Sequence, residues 1–477
     1  MGKWRYFEML DKNELNLLHN TMLKILNEVG FFVDNEEILK KLEEFGGKVN
    51  YDKKRVYFPP EFIENFIEDS EKINWSKLKP EITYQVSLYH GWYLDPFDNE
   101  YKVLDTEIFL KYFKIAQNLS LPFGGIYATP LPEIPEKFFL PYYHYLCFKF
   151  LDKGCCSINN IKWAELILKI CEIYAEEKNL NLQDVISKSL LHIHFVSPLR
   201  FTKEEAEIFL YFAKRNLKII IGVMDVIGST TPVTISGAVS MHLSQVIFSN
   251  IIYRAFFGDK NLTISCEISP LDMKTTYQLY GRPEKEISNI IMAQIARKYK
   301  ASFWAHTGHC DAKIPSPESG IQKIINSLPS LFSSKKANIC CGLLSIDEVY
   351  SPIQMVIDKE IVEILKRFAK EEIIDEEKIG FDIIKEVIER NESFIASEHT
   401  VKYFKDQLWE PKIFTRDMFF NWKKIGMKKD IDIAKEIVSE ALNGKKILPK
   451  ISEKTEDKII DIIYKFTGYR IKKVEPL

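Results

Sequence analysis

The chain lacks a surplus of either charge. Its 65 Lys and Arg stand against 67 Asp and Glu, a formal charge of -2, so nothing in the global balance selects nucleic acid or an anionic membrane as a partner. No apolar run approaches the ~20 residues that cross a bilayer. The opening MGKWRYFEMLDKNELN has neither an apolar core nor a small-residue cleavage site, which predicts a chain without a secretory leader. The eight cysteines are not spaced as a disulfide framework, and no CxxC pair recurs as a zinc site requires. Reduced thiols in a cytoplasmic protein are expected, with the vicinal pairs Cys155-Cys156 and Cys340-Cys341 reading as small buried hydrophobes. No stretch reads as a cofactor-binding domain.

What is present is a long chain of 477 residues with 46% hydrophobic content, enough to bury a large core. Its first part differs in texture from the rest. Leu15, Leu18, Met22, Ile25, Leu26 and Val29 recur at helical spacing up to Gly30, a second helix starts at Glu36, and Pro59-Pro60 opens a third. Alternation between Ile82 and Val103, around Asp98-Asn99-Glu100, predicts a β-hairpin. These elements form an expected helical and hairpin appendage over residues 1–118. From about Leu119, short apolar runs alternate with amphipathic stretches. Strands are predicted at Phe123–Tyr127, Cys155–Ile158, Leu191–Val196, Lys218–Val223, Leu262–Cys266, Ser302–His306, Ala337–Cys341 and Phe394–Ser397. Eight strands with intervening helices predict an α/β fold, a TIM-type (β/α)8 barrel over residues 119–477 with C-terminal helices. A doubly wound open sheet shares the same pattern.

Barrel chemistry gathers where strands end. The densest polar cluster there is WAHTGHCD, Trp304 to Asp311. His306, His309 and Asp311 are candidate substrate contacts, against the alternative that they satisfy loop backbone groups. The spacing does not converge on a metal, so none is expected. Glu267 closes the apolar strand LTISCEIS and requires a cation, a donor or a proton; a rim salt bridge with Arg282 or Lys274 is the alternative.

Several pieces occur together and in order: LHNTMLKILNEVGFFVDNEEILKKLEEFGGKV, Ser197-Leu199, TPVTISGA within Gly228 to Gln245, GRPE at Gly281-Glu284, VIDKEI at Val356-Ile361, and EHTVKYFKDQLWEPKIFTRDMFFNW. In this the chain resembles the trimethylamine:corrinoid methyltransferase family. The resemblance implies a TIM barrel and a methyltransferase that works with a corrinoid carried by a separate protein, with no tightly bound cofactor of its own. Family members that demethylate trimethylamine carry pyrrolysine after the seventh strand. Here that stretch is Cys340 to Ser345, all standard residues, with Gly342 and Leu343 at its centre. Family members without pyrrolysine look like quaternary-amine demethylases, since a quaternary ammonium already leaves as a neutral amine. A betaine-like substrate is therefore expected. Its cationic head favours aromatic faces, for which Trp304, Tyr350, Tyr89 and Trp92 are the candidates. His309, Glu267 and His399, the last in the family's His-Thr pair, are the expected catalytic set. A homo-oligomer is expected, with no nucleic-acid or membrane partner. Other methyl donors or acceptors, such as trimethylamine or a pterin, and a non-catalytic barrel scaffold stay open.

Overall fold

The computed structural model describes residues 4–89 and 91–477. Residues 1–3, at the head of the N-terminal run, and residue 90, within the expected hairpin, lie outside them. The N-terminal helices form as the spacing predicts. Lys12–Lys24 carries a capping box from Asp11 and Glu14 and continues through a π-helical turn, Ile25–Val29, to Gly30 at φ 67°. Glu36–Glu44 and Pro60–Glu68 follow, the latter with proline in its first turn.

The expected hairpin is only half correct. Trp92–Leu94 pairs antiparallel with Tyr101–Val103, but the residues before it do something else. Glu81–Leu88 lies parallel between Lys336–Cys341 and Phe123–Ile126, so it is a barrel strand, and the barrel begins near residue 81 instead of 119. The reason is physical. Ile82, Tyr84, Val86 and Leu88 pack outward onto the core, while Thr83, Gln85 and Ser87 face the axis. A barrel strand with a polar lumen has the same alternation as a solvated hairpin.

The remaining staves follow in order. Cys156 N donates to Ile126 O at 2.8 Å, and Ser157 bridges His192 in parallel. His192–His194 pairs with Ile220–Gly222. The next two staves are each interrupted: Asp225–Ile227 pairs with Ile268–Pro270, and Thr263–Cys266 pairs with Ser302–Ala305. The last seam is bridged by a side chain, with Thr307 Oγ1 donating to Asn338 O and accepting from Asn338 N. Eight parallel staves close a TIM-type barrel. The predicted strand Phe394–Ser397 is not among them. Its residues 394–396 form a short 3-10 turn, with Phe394 and Ile395 exposed. Three successive apolar residues, Phe394 to Ala396, have the look of a stave, because period alone does not show a missing partner.

The long helix Ile235–Phe257 has 23 residues and is apolar enough to cross a membrane by length and composition, a segment not anticipated from the sequence. It is mostly buried inside the fold and packs as a core helix. Thr234 caps it, and its His242 and Gln245 both bond the buried Asp225 carboxylate, at 2.8 and 2.7 Å. The TPVTISGA piece is thus a helix start that fixes the fifth and sixth staves.

The lumen differs from a usual barrel core of branched aliphatics. Strand alternation turns Gln85, Ser87, His192, His194, Ser265 and Trp304 inward, and Trp304 is 42% exposed. Gly222 is required there, because a Cβ would meet the His194 ring at 2.5 Å.

Candidate active site

The site assembles at the C-terminal ends of the staves. His306 and His309 stack with ring centroids 3.7 Å apart, and Tyr280 stands edge-on to both at 5.0 and 5.3 Å. The turn between the two imidazoles needs Gly308. Its φ is 74°, and a Cβ would lie 2.4 Å from Asn338 O and 2.7 Å from Ile339 Cα. Asp311 holds the Tyr280 loop by accepting from the N–H groups of Tyr280 and Gly281, at 2.6 and 3.0 Å.

Each imidazole has one fixed nitrogen. His309 Nδ1 lies 2.8 Å from Asp347 Oδ1, and its Nε2 is buried with no hydrogen-bond partner. His306 Nδ1 lies 3.3 Å from the Lys285 ammonium. Burial holds both imidazoles well below their ordinary range, the neighbouring charges of His309 and Lys285 adding to this at His306 and those of Lys285 and Lys323 at His309. Both are therefore neutral near pH 7. Asp347 is delivered by an unusual turn: Ser345, Ile346 and Asp347 have φ of 51°, 54° and 70°, backbone that costs about 1–3 kcal/mol per residue and is retained where the surroundings demand it. Ser345 N and Ile346 N tie this turn to Ala312 O and Cys310 O.

Glu267 follows the stave Thr263–Cys266. Its Oε2 is buried without a hydrogen-bond partner, and no ion pair among the described residues joins it to Arg282 or Lys274. Burial raises its carboxyl to about 7, opposed by the charges of Lys285 and His242 and assisted by Asp347. Tyr127 and Tyr280 both feel the Glu267 charge. Tyr89 stacks on Tyr127 at 4.3 Å, and Tyr127 stands against His192 at 4.9 Å. Trp304, two residues before His306 on the inner face, has its ring 6.3 Å from that imidazole.

Of the expected residues, the structure brings Tyr89, Glu267, Trp304, His306, His309 and Asp311 to one barrel end. Five others do not join them. Leu343 and Tyr350 are core residues, at 1% and 0% exposure, and Tyr350 packs against Tyr112 at 5.6 Å. Gly342, at φ 86°, donates to Asp358 Oδ2, which also binds the buried Lys323 ammonium at 2.6 Å; a loop clamped by a buried ion pair is scaffold. His399 lies on helix Glu398–Gln407, its Nε2 3.1 Å from Lys378 O, outside the barrel because residues 394–397 form no stave. Trp92 is 47% exposed on the hairpin beside Val349, at the rim and not within the cluster. The sequence reading missed Tyr280, Lys285 and Asp347. Tyr280 and Lys285 flank the GRPE piece directly, a signal that was available; nothing local marks Asp347.

His306, His309 and Asp347 offer donor atoms within 4.8 Å of one another. They do not fit zinc as arranged. Imidazole lone pairs lie in the ring plane, and planes 23° apart at 3.7 Å do not meet at a shared atom about 2.1 Å from each nitrogen. The Lys285 charge at His306 opposes a cation further.

A family profile described as trimethylamine methyltransferase (MTTB) matches residues 1–82 and 145–467. The chain belongs to this family. Trimethylamine methyltransferase family relatives include the glycine betaine methyltransferase of Desulfitobacterium hafniense (strain Y51), 23% identical over 88% of this chain and 89% of that protein. A trimethylamine methyltransferase of Desulfitobacterium hafniense (strain DSM 10664 / DCB-2) is 20% identical over 93% of both chains. The monomethylamine methyltransferase of Methanosarcina barkeri is a similar solved structure, 10% identical with a TM-score of 0.49, covering 92% of this chain and 88% of that one. The chain is a methyltransferase of a family whose named members include trimethylamine and glycine betaine methyltransferases.

Proposed function

We propose that the protein takes a methyl group from a quaternary amine of betaine type and passes it to the corrinoid of a separate protein. The observation that carries this reading is the Glu267 carboxyl, whose buried Oε2 no donor reaches and whose charge is felt by the phenols of Tyr127 and Tyr280. A quaternary ammonium brings charge but no N–H, so it suits a buried carboxylate that needs a counter-charge, with aromatic walls to surround it. Tyr89, Tyr127, Tyr280 and Trp304 supply those walls.

The reduced corrinoid supplies a Co(I) nucleophile when its carrier docks. Trp92, Val196 and Met224 are 47%, 42% and 38% exposed and offer apolar contact to the corrin ring of a docked carrier. The chain's own residues bind the cation, turn one methyl toward the mouth and exclude water, which is positioning work. His309 and His306, locked by Asp347 and Lys285, orient the rest of the substrate. No proton is required, because the amine leaves neutral. The standard residues of Cys340 to Ser345, where trimethylamine demethylases of the family are expected to carry pyrrolysine, support a quaternary substrate. Incubation with a reduced corrinoid protein and glycine betaine should yield the dimethylated amine in step with methylation of the corrinoid. Absence of that product with every quaternary amine supplied would overturn the proposal.

A further inference from the structure

The two stacked imidazoles are not equivalent. Asp347 Oδ1 lies 2.8 Å from His309 Nδ1, and a carboxylate has no proton to give. The neutral ring therefore carries its proton on Nδ1, and His309 Nε2 is a bare lone pair, buried with no hydrogen-bond partner. His306 is fixed the other way. Burial lowers the Lys285 amine, and the charges of Cys266, Glu267, Glu286 and Asp347 oppose this; as an ammonium it offers donors and no acceptor. His306 Nδ1, 3.3 Å away, accepts. Its ring proton then sits on Nε2, which no hydrogen bond among the described residues engages. Stacked with centroids 3.7 Å apart, the pair presents one donor and one acceptor, beside Tyr280 and Trp304.

That pattern discriminates among quaternary amines. A buried acceptor left without a donor is costly, so a ligand that completes the site must bring a proton to His309. A trimethylammonium head has none. A carboxylate accepts from the His306 Nε2–H but sets another lone pair against His309 Nε2, so glycine betaine answers half of the pair. A hydroxyl donates its proton and accepts at the same oxygen, and one atom then answers both nitrogens.

We infer that His306 and His309 form a hydroxyl subsite, so that the preferred substrate is a quaternary amine bearing a hydroxyl group beyond its cationic head. The inference rests on the quaternary-amine reading above. Lys285 and Asp347 act through the two histidines, as positioning residues. Calorimetric titration of the full chain with choline, its O-methyl ether and ethyltrimethylammonium tests it, because the ether keeps the acceptor and loses the proton, and the third compound lacks the oxygen. Choline should bind about tenfold or more tighter than either, the effect of a buried acceptor that gains its donor. Asp347→Asn offers an amide N–H to His309 Nδ1, moves the ring proton to Nε2 and should erase the preference for choline over the ether. Nitrogen-15 spectra of the histidine rings read the tautomers directly: in the unliganded wild type His309 should be protonated on Nδ1 and His306 on Nε2. Equal affinity for the three compounds, either ring in the opposite tautomer, or a preference for choline that survives the moved proton would overturn the hydroxyl subsite and leave the quaternary-amine reading standing. Failure of all three compounds to bind would overturn both.

Discussion

Glu267 controls how the site responds to pH. Its carboxyl stands near 7 against an ordinary 4.5, so the folded protein holds that proton more tightly than the unfolded chain. The residue is therefore neutral to stability below about pH 4.5 and costs stability as pH rises through the window to about 7. Urea unfolding at a series of pH values should show Glu267→Gln gaining on the wild type across that window and level above it. Substrate affinity runs the other way. A quaternary cation prefers the ionised carboxylate, so binding by calorimetry should tighten as pH rises through 7 in the wild type and stay flat in the Gln variant. Burial lowers the His306 and His309 imidazoles well below their ordinary range. Replacing Tyr280 or Trp304 by Leu should weaken binding by roughly 0.5–2 kcal/mol each, the range for a lost cation–π contact. Unchanged affinity in both would mean the cation sits elsewhere. At this scale the sequence was partly legible: Glu267, His306 and His309 were marked by chemistry at strand ends, whereas Asp347 reaches His309 across 38 residues and leaves no local signature.

Two turns between elements hold the cage together. Gly308→Ala should lower thermal stability and displace His309, since the new Cβ meets backbone of the neighbouring stave and the residue must keep a left-handed conformation. The loop that presents Asp347 rests on Lys323 and Asp358, both fully buried. Lys323→Met leaves Asp358 without its cation and should cost about 3–5 kcal/mol in denaturant unfolding, the range for breaking a buried pair; a loss below about 1 kcal/mol, the range of an exposed pair, would show that this pair is not a support. Elements were legible where period and partner agree. Thr263–Cys266 and Ser302–Ala305 read directly as apolar runs. Glu81–Leu88 read as hairpin because its inner face is polar, and residues 394–397 read as a strand because an exposed apolar arm resembles a buried one in sequence.

The whole molecule is a closed barrel whose lumen carries histidines, serines, glycines and an indole in place of a packed aliphatic core. Closure could not be read from period, and the stave that completes it lay in the part assigned to the appendage. Its polar lumen and aromatic mouth make it suited to hold a compact cation, and its methyl-transfer family sets the reaction. The claim that joins these is that the leaving group must already be neutral. The direct measurement is the cobalt absorbance change of a reduced corrinoid protein when glycine betaine or trimethylamine is added at equal concentration with this protein. Rapid change with betaine and none with trimethylamine is the predicted result; equal rates with both would contradict it.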